Sequence, residues 1–199
     1  MKELAEQVQA LSDRYESETL ALRRAIHADP ELSFREVHTA ARVCEALKSI
    51  GIPFRSGIAG TGVVADLHGA APGKTLLLRA DMDALPITEE NGLPFCSRNP
   101  GVMHACGHDV HTANLVAVAR ILHALRDQWS GTVRFVFQPA EESGGGGRKM
   151  IEAGIFDDIS VDASMALHTM TTLPPDRSCS AARRQISSVC PMRQNTMAS

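Results

Sequence analysis

The sequence predicts an α/β fold: a three-layer sandwich in which a mixed, mostly parallel sheet is flanked by helices. Two observations carry this. Apolar residues first recur at helical steps, then shorten to runs rich in Val and Leu, and the two patterns alternate thereafter. Chemically loaded segments follow directly on three of the strand-like runs, where ligands gather in sheets of this kind.

Leu4, Val8, Leu11 and Tyr15 recur at steps of four, three and four, one face of an amphipathic helix. Helical character extends to His27, with room for a break near Ser17. Asp29-Pro30 ends it, because proline disfavours helix in the residue before it. A second helix is predicted over 35–50, with Val37, Ala41, Cys44 and Leu47 inward and Gly51 as its C-cap. Residues 62–67 and 75–79 read as strands, the second central and buried, and 81–86 follows as a loop. A helix over 110–125 carries Val110, Ala113, Ala117, Ile121 and Leu125 on one face. Residues 132–137 alternate Val and Phe as a strand. The glycine run 144–147 precedes a short helix over 149–153, ended by Gly154, and 163–167 is a last short strand. From residue 175 onward no period is visible, and that tail reads as irregular.

The chain has 199 residues, enough for one sizeable core, and is 44% hydrophobic and 22% charged. A formal net charge of -3 leaves no basic footprint for nucleic acid or an anionic membrane. No apolar run reaches the roughly 18 residues of a membrane span. The charged first turns lack the apolar middle of a signal peptide, so cytoplasm is the expected compartment. The five scattered cysteines do not form a disulfide framework.

Four segments carry chemistry. In Met103-His104-Ala105-Cys106-Gly107-His108-Asp109-Val110-His111, a thiolate and an imidazole two residues apart enter a helix. They can grip one divalent ion or two adjacent ones, and both ligand types suit zinc and other borderline metals. The alternative is a helix start that happens to hold histidines. Asp109 is placed to cap that helix or to orient an imidazole. Directly after the 132–137 strand comes Gln138-Pro139-Ala140-Glu141-Glu142. Adjacent carboxylates repel unless something positive lies beside them; one could ligate while its neighbour serves as general base. A solvated acidic turn is the competing reading. His168 ends an apolar strand, where a core histidine is common. Asp81 and Asp83 follow another strand; Asp83 suits the support of a ligating histidine, and Asp81 stays open. His27, His38, His68 and His123 read as bystanders, while His104 and His111 lie near enough to touch substrate. The run 144–147 lacks the Lys-Ser/Thr of a phosphate loop.

Together these segments resemble the amidohydrolase branch of the aminoacylase/carboxypeptidase metallopeptidase family, which includes hippurate hydrolases, N-acyl-amino-acid amidohydrolases and auxin-conjugate hydrolases. The stretches RRAIHADPELSFRE, LLLRADMDALPITEENGLPF, GVMHACGHDVHTANLVAVARIL, GTVRFVFQPAEESGGGGRKMIEAG and DASMALHTM carry the likeness in family order. The resemblance implies two divalent metal ions, manganese or zinc with cobalt as a further candidate. It implies Cys106, His108, Glu142 and His168 as ligands, Cys106 bridging, with Glu141 as general base and Asp83 and Asp109 in support. The implied activity is hydrolysis of the amide bond of N-acyl amino acids, small-molecule substrates, by a metal-activated water.

Departures from the family pattern matter too. Residues 1–174 match the N-terminal part of a catalytic domain of the dinuclear-metal exopeptidase type. Residues 175–199 do not look familial, and the lid domain through which intact relatives dimerise is absent, with a fifth ligand histidine. Impaired turnover is therefore expected. A non-catalytic metal-binding remnant and an interaction fragment are the alternatives; a closed structural zinc site would not need Glu141 beside Glu142.

Overall fold

The computed structural model describes residues 2–169, where a five-stranded sheet runs in the order β1-β2-β4-β3-β5. Its strands are β1 (Phe54–Ile58), β2 (Gly62–His68), β3 (Thr75–Asp81), β4 (Thr132–Gln138) and β5 (Ala163–Ala166). The helices are α1 (Lys2–His27), α2 (Val37–Ile50), α3 (His108–Ala124) and α4 (Gly146–Glu152). β2 runs antiparallel to β1 and β4, whereas β3 runs parallel to β4 and β5.

Alternation along the strands builds three layers. Val63, Ala65 and Leu67 of β2 and Val133, Phe135 and Phe137 of β4 point to one face, where they pack with Val43 and Leu47 of α2 and Leu115, Val116 and Ala119 of α3. Val64, Leu77 and Val136 point to the other, against Met150 of α4 and Ile155. Arg134 also lies on that second face, fully buried, and donates to Asp66, Asp158 and the Ile155 carbonyl. Asp66 foremost and Asp158 raise its pKa, so it stays charged and ties the segment after α4 to the sheet.

Several details depart from expectation. α1 is continuous through Ser17. The inward residues of α2 are Thr39, Ala40, Val43 and Leu47, and Val37 is 60% exposed. The cause is Glu36, buried just before the helix, which receives the N–H groups of Phe34 and Ala140 and the Thr61 hydroxyl and so sets the rotation of α2. In α3 the buried set centres on Thr112, Ala113, Leu115, Val116 and Ala119, while Val110, Ala117 and Ile121 are half-buried. That helix contacts both the sheet and α1, which widens its covered face. β1 has a mostly exposed, polar FRSGI sequence and owes its form to pairing with β2. α4 begins three residues early, inside the glycine run. Gly51 closes α2 with its N–H on the Leu47 carbonyl.

Among the described residues no helix is long and apolar enough to cross a membrane. The tail expected to be irregular, 175–199, lies outside the described residues.

Candidate metal centre

The parallel pairing decides where the chemistry collects. Asp81 stands opposite Gln138, and Arg79 opposite Ala166, so β3, β4 and β5 end on one edge of the sheet. The segments that follow them, and the N-terminus of α3, meet there.

Gly107 turns the chain into α3 at φ +82°, a conformation glycine adopts readily. A side chain at this position would also strike Thr169. His108, in the first turn of α3, is fully buried. Its Nδ1 donates to the Asp83 carbonyl at 2.8 Å, which leaves Nε2 as the atom with the free lone pair. Among the described residues Nε2 has no hydrogen-bond partner; it sits 3.7 Å from both Asp81 Oδ2 and Glu142 Oε1. Glu142 Oε1 is likewise buried without a partner. Burial opposes charge on His108, but the Asp83 and Asp81 carboxylates outweigh it and raise the pKa.

Asp83 holds the neighbouring loop. Its two oxygens accept the backbone N–H groups of Glu141 and Glu142, each at 3.0 Å, and the Ser33 hydroxyl at 2.6 Å. Burial works against its ionisation, yet these donors and His108 hold it down to about 2. The Glu36 carboxylate pins the same loop at Ala140, whose φ is +50°. Gly146 lets the chain fold back beneath it: a Cβ there would lie 1.7 Å from the Pro139 carbonyl oxygen. Glu141 then projects into solvent beside the half-buried Glu142.

Cys106 Sγ lies 3.6 Å from His168 Nε2. Burial, then the carboxylates of Glu142, Asp81 and Glu141, push the thiol up to about 11. Ligand atoms of Cys106, His108 and His168 all fall within 4.8 Å of one another, as do those of His108, Glu141 and Glu142. His108 belongs to both groups. A buried imidazole nitrogen and carboxylate oxygen, both partnerless, beside a thiol and a second imidazole suit divalent cations: positive charge there would satisfy both orphans and favour the thiolate.

Among the described residues, α3 has no side-chain cap hydrogen bond, and the hydrogen bonds of Asp109 go to Arg23 and His27. Its Oδ2 accepts from Arg23 at 2.7 Å and from His27 Nδ1 at 2.9 Å, and His27 Nε2 faces Glu89 at 2.9 Å. The hydrogen bond to Asp109 is the main cause of a raised His27 pKa, with burial opposing it. His27 is therefore a clamp between α1, α3 and the 82–107 connection. His104 is sealed from solvent, and burial pushes it down to about 4, so it does not face a substrate cleft. His111 is buried with both nitrogens engaged, Nδ1 on Asp81 at 2.6 Å and Nε2 accepting the Thr169 N–H at 2.9 Å. The sequence marks Asp81 and His111 only separately, by residue type and nearness to the histidine motif, and marks Glu36 only by its place within a familial stretch.

The model for peptidase family M20/M25/M40 matches residues 77–184. This chain belongs to the M20/M25/M40 peptidase family. An N-acyl-L-amino acid amidohydrolase of Geobacillus stearothermophilus is 50% identical over 157 residues, which is 78% of this chain and 42% of that protein. An N-acetyl-L-cysteine deacetylase of Bacillus subtilis is 47% identical, over 77% of this chain and 36% of its own length. Among solved structures, the YXEP protein of Bacillus subtilis, a dinuclear metal binding peptidase from the M20 family, superposes with a TM-score of 0.77 at 42% identity, covering 81% of this chain and 45% of that one. The chain thus spans about two-fifths of the length of the curated family members it matches.

Proposed function

We propose that this chain supplies the metal-binding front part of an amidohydrolase that cleaves the amide bond of small N-acyl amino acids. The observation that carries the reading is a pair of buried atoms without a hydrogen-bond partner among the described residues, His108 Nε2 and Glu142 Oε1, 3.7 Å apart beside Cys106 and His168. The names of the most similar relatives support the substrate class.

Cys106, His108, Glu142 and His168 would hold two divalent ions, manganese, zinc or cobalt, with Asp83 fixing the His108 ring and the Glu141–Glu142 backbone. Bound there, the ions would supply Lewis acidity, lowering the pKa of water and stabilising charge on an amide oxygen. Glu141, exposed at the mouth and held at its backbone by Asp83, takes a proton from the attacking water. It returns that proton to the leaving nitrogen as the C–N bond breaks, giving a carboxylic acid and a free amino acid. Cytoplasm is the compartment proposed, supported by the free thiols of Cys44, Cys96 and Cys106.

The test is metal content and hydrolysis of a panel of N-acyl amino acids, after reconstitution with manganese, zinc or cobalt. Glu141→Gln is expected to lower turnover at least about 100-fold with metal content unchanged. Full activity in that variant overturns the base assignment. A second reading is metal binding without turnover by this chain alone, whose match covers 42% of the amidohydrolase's length; metal content with no hydrolysis would select it.

A further inference from the structure

We propose that Asp81 and His111 form a positioning dyad whose directed hydrogen bonds seat the His168 side of the centre. The inference rests on the metal-centre reading above and concerns two residues to which that reading gives no role.

The geometry fixes the tautomer of His111. A backbone N–H can only donate, so the 2.9 Å contact from Thr169 N makes Nε2 an acceptor. The proton then sits on Nδ1, which donates to Asp81 Oδ1 at 2.6 Å. Asp81 is itself locked: Oδ2 accepts from Arg79 Nη1 at 2.6 Å, and its backbone carbonyl accepts the Thr112 hydroxyl at 2.8 Å. Arg79 is in turn held by Gln138 across the β3–β4 pairing. A chain of single-direction hydrogen bonds therefore runs Arg79 to Asp81, and Thr169 to His111 to Asp81.

What this chain positions is the residue next to Thr169. The Thr169 hydroxyl donates to the Cys106 carbonyl at 3.1 Å, and the His168 ring packs on the His111 ring with centroids 4.8 Å apart. These contacts hold His168 Nε2 3.6 Å from Cys106 Sγ. β5 is a four-residue edge strand with two exposed positions, so it alone orients His168 weakly.

Arg79 has no acceptor, which makes Asp81→Asn an informative near-isosteric change. The carboxamide oxygen must stay on Arg79, so the NH2 faces His111 Nδ1. The imidazole proton is driven to Nε2, where it meets the Thr169 N–H head-on, and that hydrogen bond is lost. His111→Gln does the opposite: its Oε1 can still accept from Thr169.

The experiment uses the metal-free chain labelled with 15N-histidine. His111 is expected as the neutral Nδ1–H tautomer in the parent and as Nε2–H in Asp81→Asn. Exchange of the Thr169 amide should accelerate about tenfold in Asp81→Asn and less than about threefold in His111→Gln. Cobalt(II) affinity should fall in the same order, about tenfold against less than about threefold. A parent His111 protonated on Nε2, or equal Thr169 exchange in parent and Asp81→Asn, overturns the proposal. If Asp81→Asn does not fold, the parent tautomer and His111→Gln decide it by the same criteria. None of these readouts uses substrate or, for the first two, metal; absence of hydrolysis or of cobalt binding would sink the proposed function and leave the dyad standing.

Discussion

Asp83 Oδ2 accepts the backbone N–H of Glu142 at 3.0 Å, while the carbonyl of Asp83 accepts Nδ1–H of His108 at 2.8 Å. One residue thus sets the ring orientation of one proposed ligand and the backbone position of another. The two residues that belong to the acidic turn and the histidine motif are joined through a third, Asp83.

Asp83→Asn keeps the shape but replaces a double acceptor with an amide that can accept on one side only. Cobalt or zinc affinity, followed by titration of the metal-free chain, is expected to drop by about 10- to 100-fold. Unchanged affinity would mean the Glu141–Glu142 turn holds itself.

Gly146→Ala introduces a Cβ at 1.7 Å from the Pro139 carbonyl oxygen, a backbone atom that cannot swing aside. The variant should lose about 2–3 kcal/mol in urea unfolding and bind metal more weakly, because the same loop carries Glu142. A variant of parental stability would show that the glycine run rearranges freely.

His27→Gln tests the clamp to Asp109 and Glu89. The folded pKa of His27 is raised, so its contribution is fully present below the unfolded value of about 6.5 and is lost as pH rises through the folded value. Its partners have lowered pKa values, so their share is lost only in acid. The substitution should cost about 2–3 kcal/mol at pH 6 and distinctly less at pH 9. Equal cost at both would mean His27 is neutral in the folded chain.

Arg134→Met leaves the Ile155 carbonyl and the part-buried Asp66 carboxylate without their donor on the face of the sheet away from α2 and α3, while the exposed Asp158 rehydrates. A loss of about 1–3 kcal/mol, from the unpaired Ile155 carbonyl and Asp66, is expected, with cobalt affinity per folded molecule retained. Loss of affinity would show that the segment after α4 communicates with the centre.

Local pattern determined a good deal of this protein. Apart from β1, the order of helices and strands is written in periodicity, and the residue types able to hold a metal, with the strand ends they follow, are written in the sequence, because both depend on neighbours a few positions apart. Only the tertiary structure decided the rest. β1 exists because β2 offers it an edge, and the face of α2 is set by Glu36, which reaches Ala140 across 104 positions. Asp83 meets the Glu141 backbone across 58, and Asp81 meets His111 across 30. A single sequence shows that a carboxylate or an imidazole is present; which hydrogen bonds it makes, and hence its charge and tautomer, follows from burial and from partners that only the folded sheet brings within 3 Å.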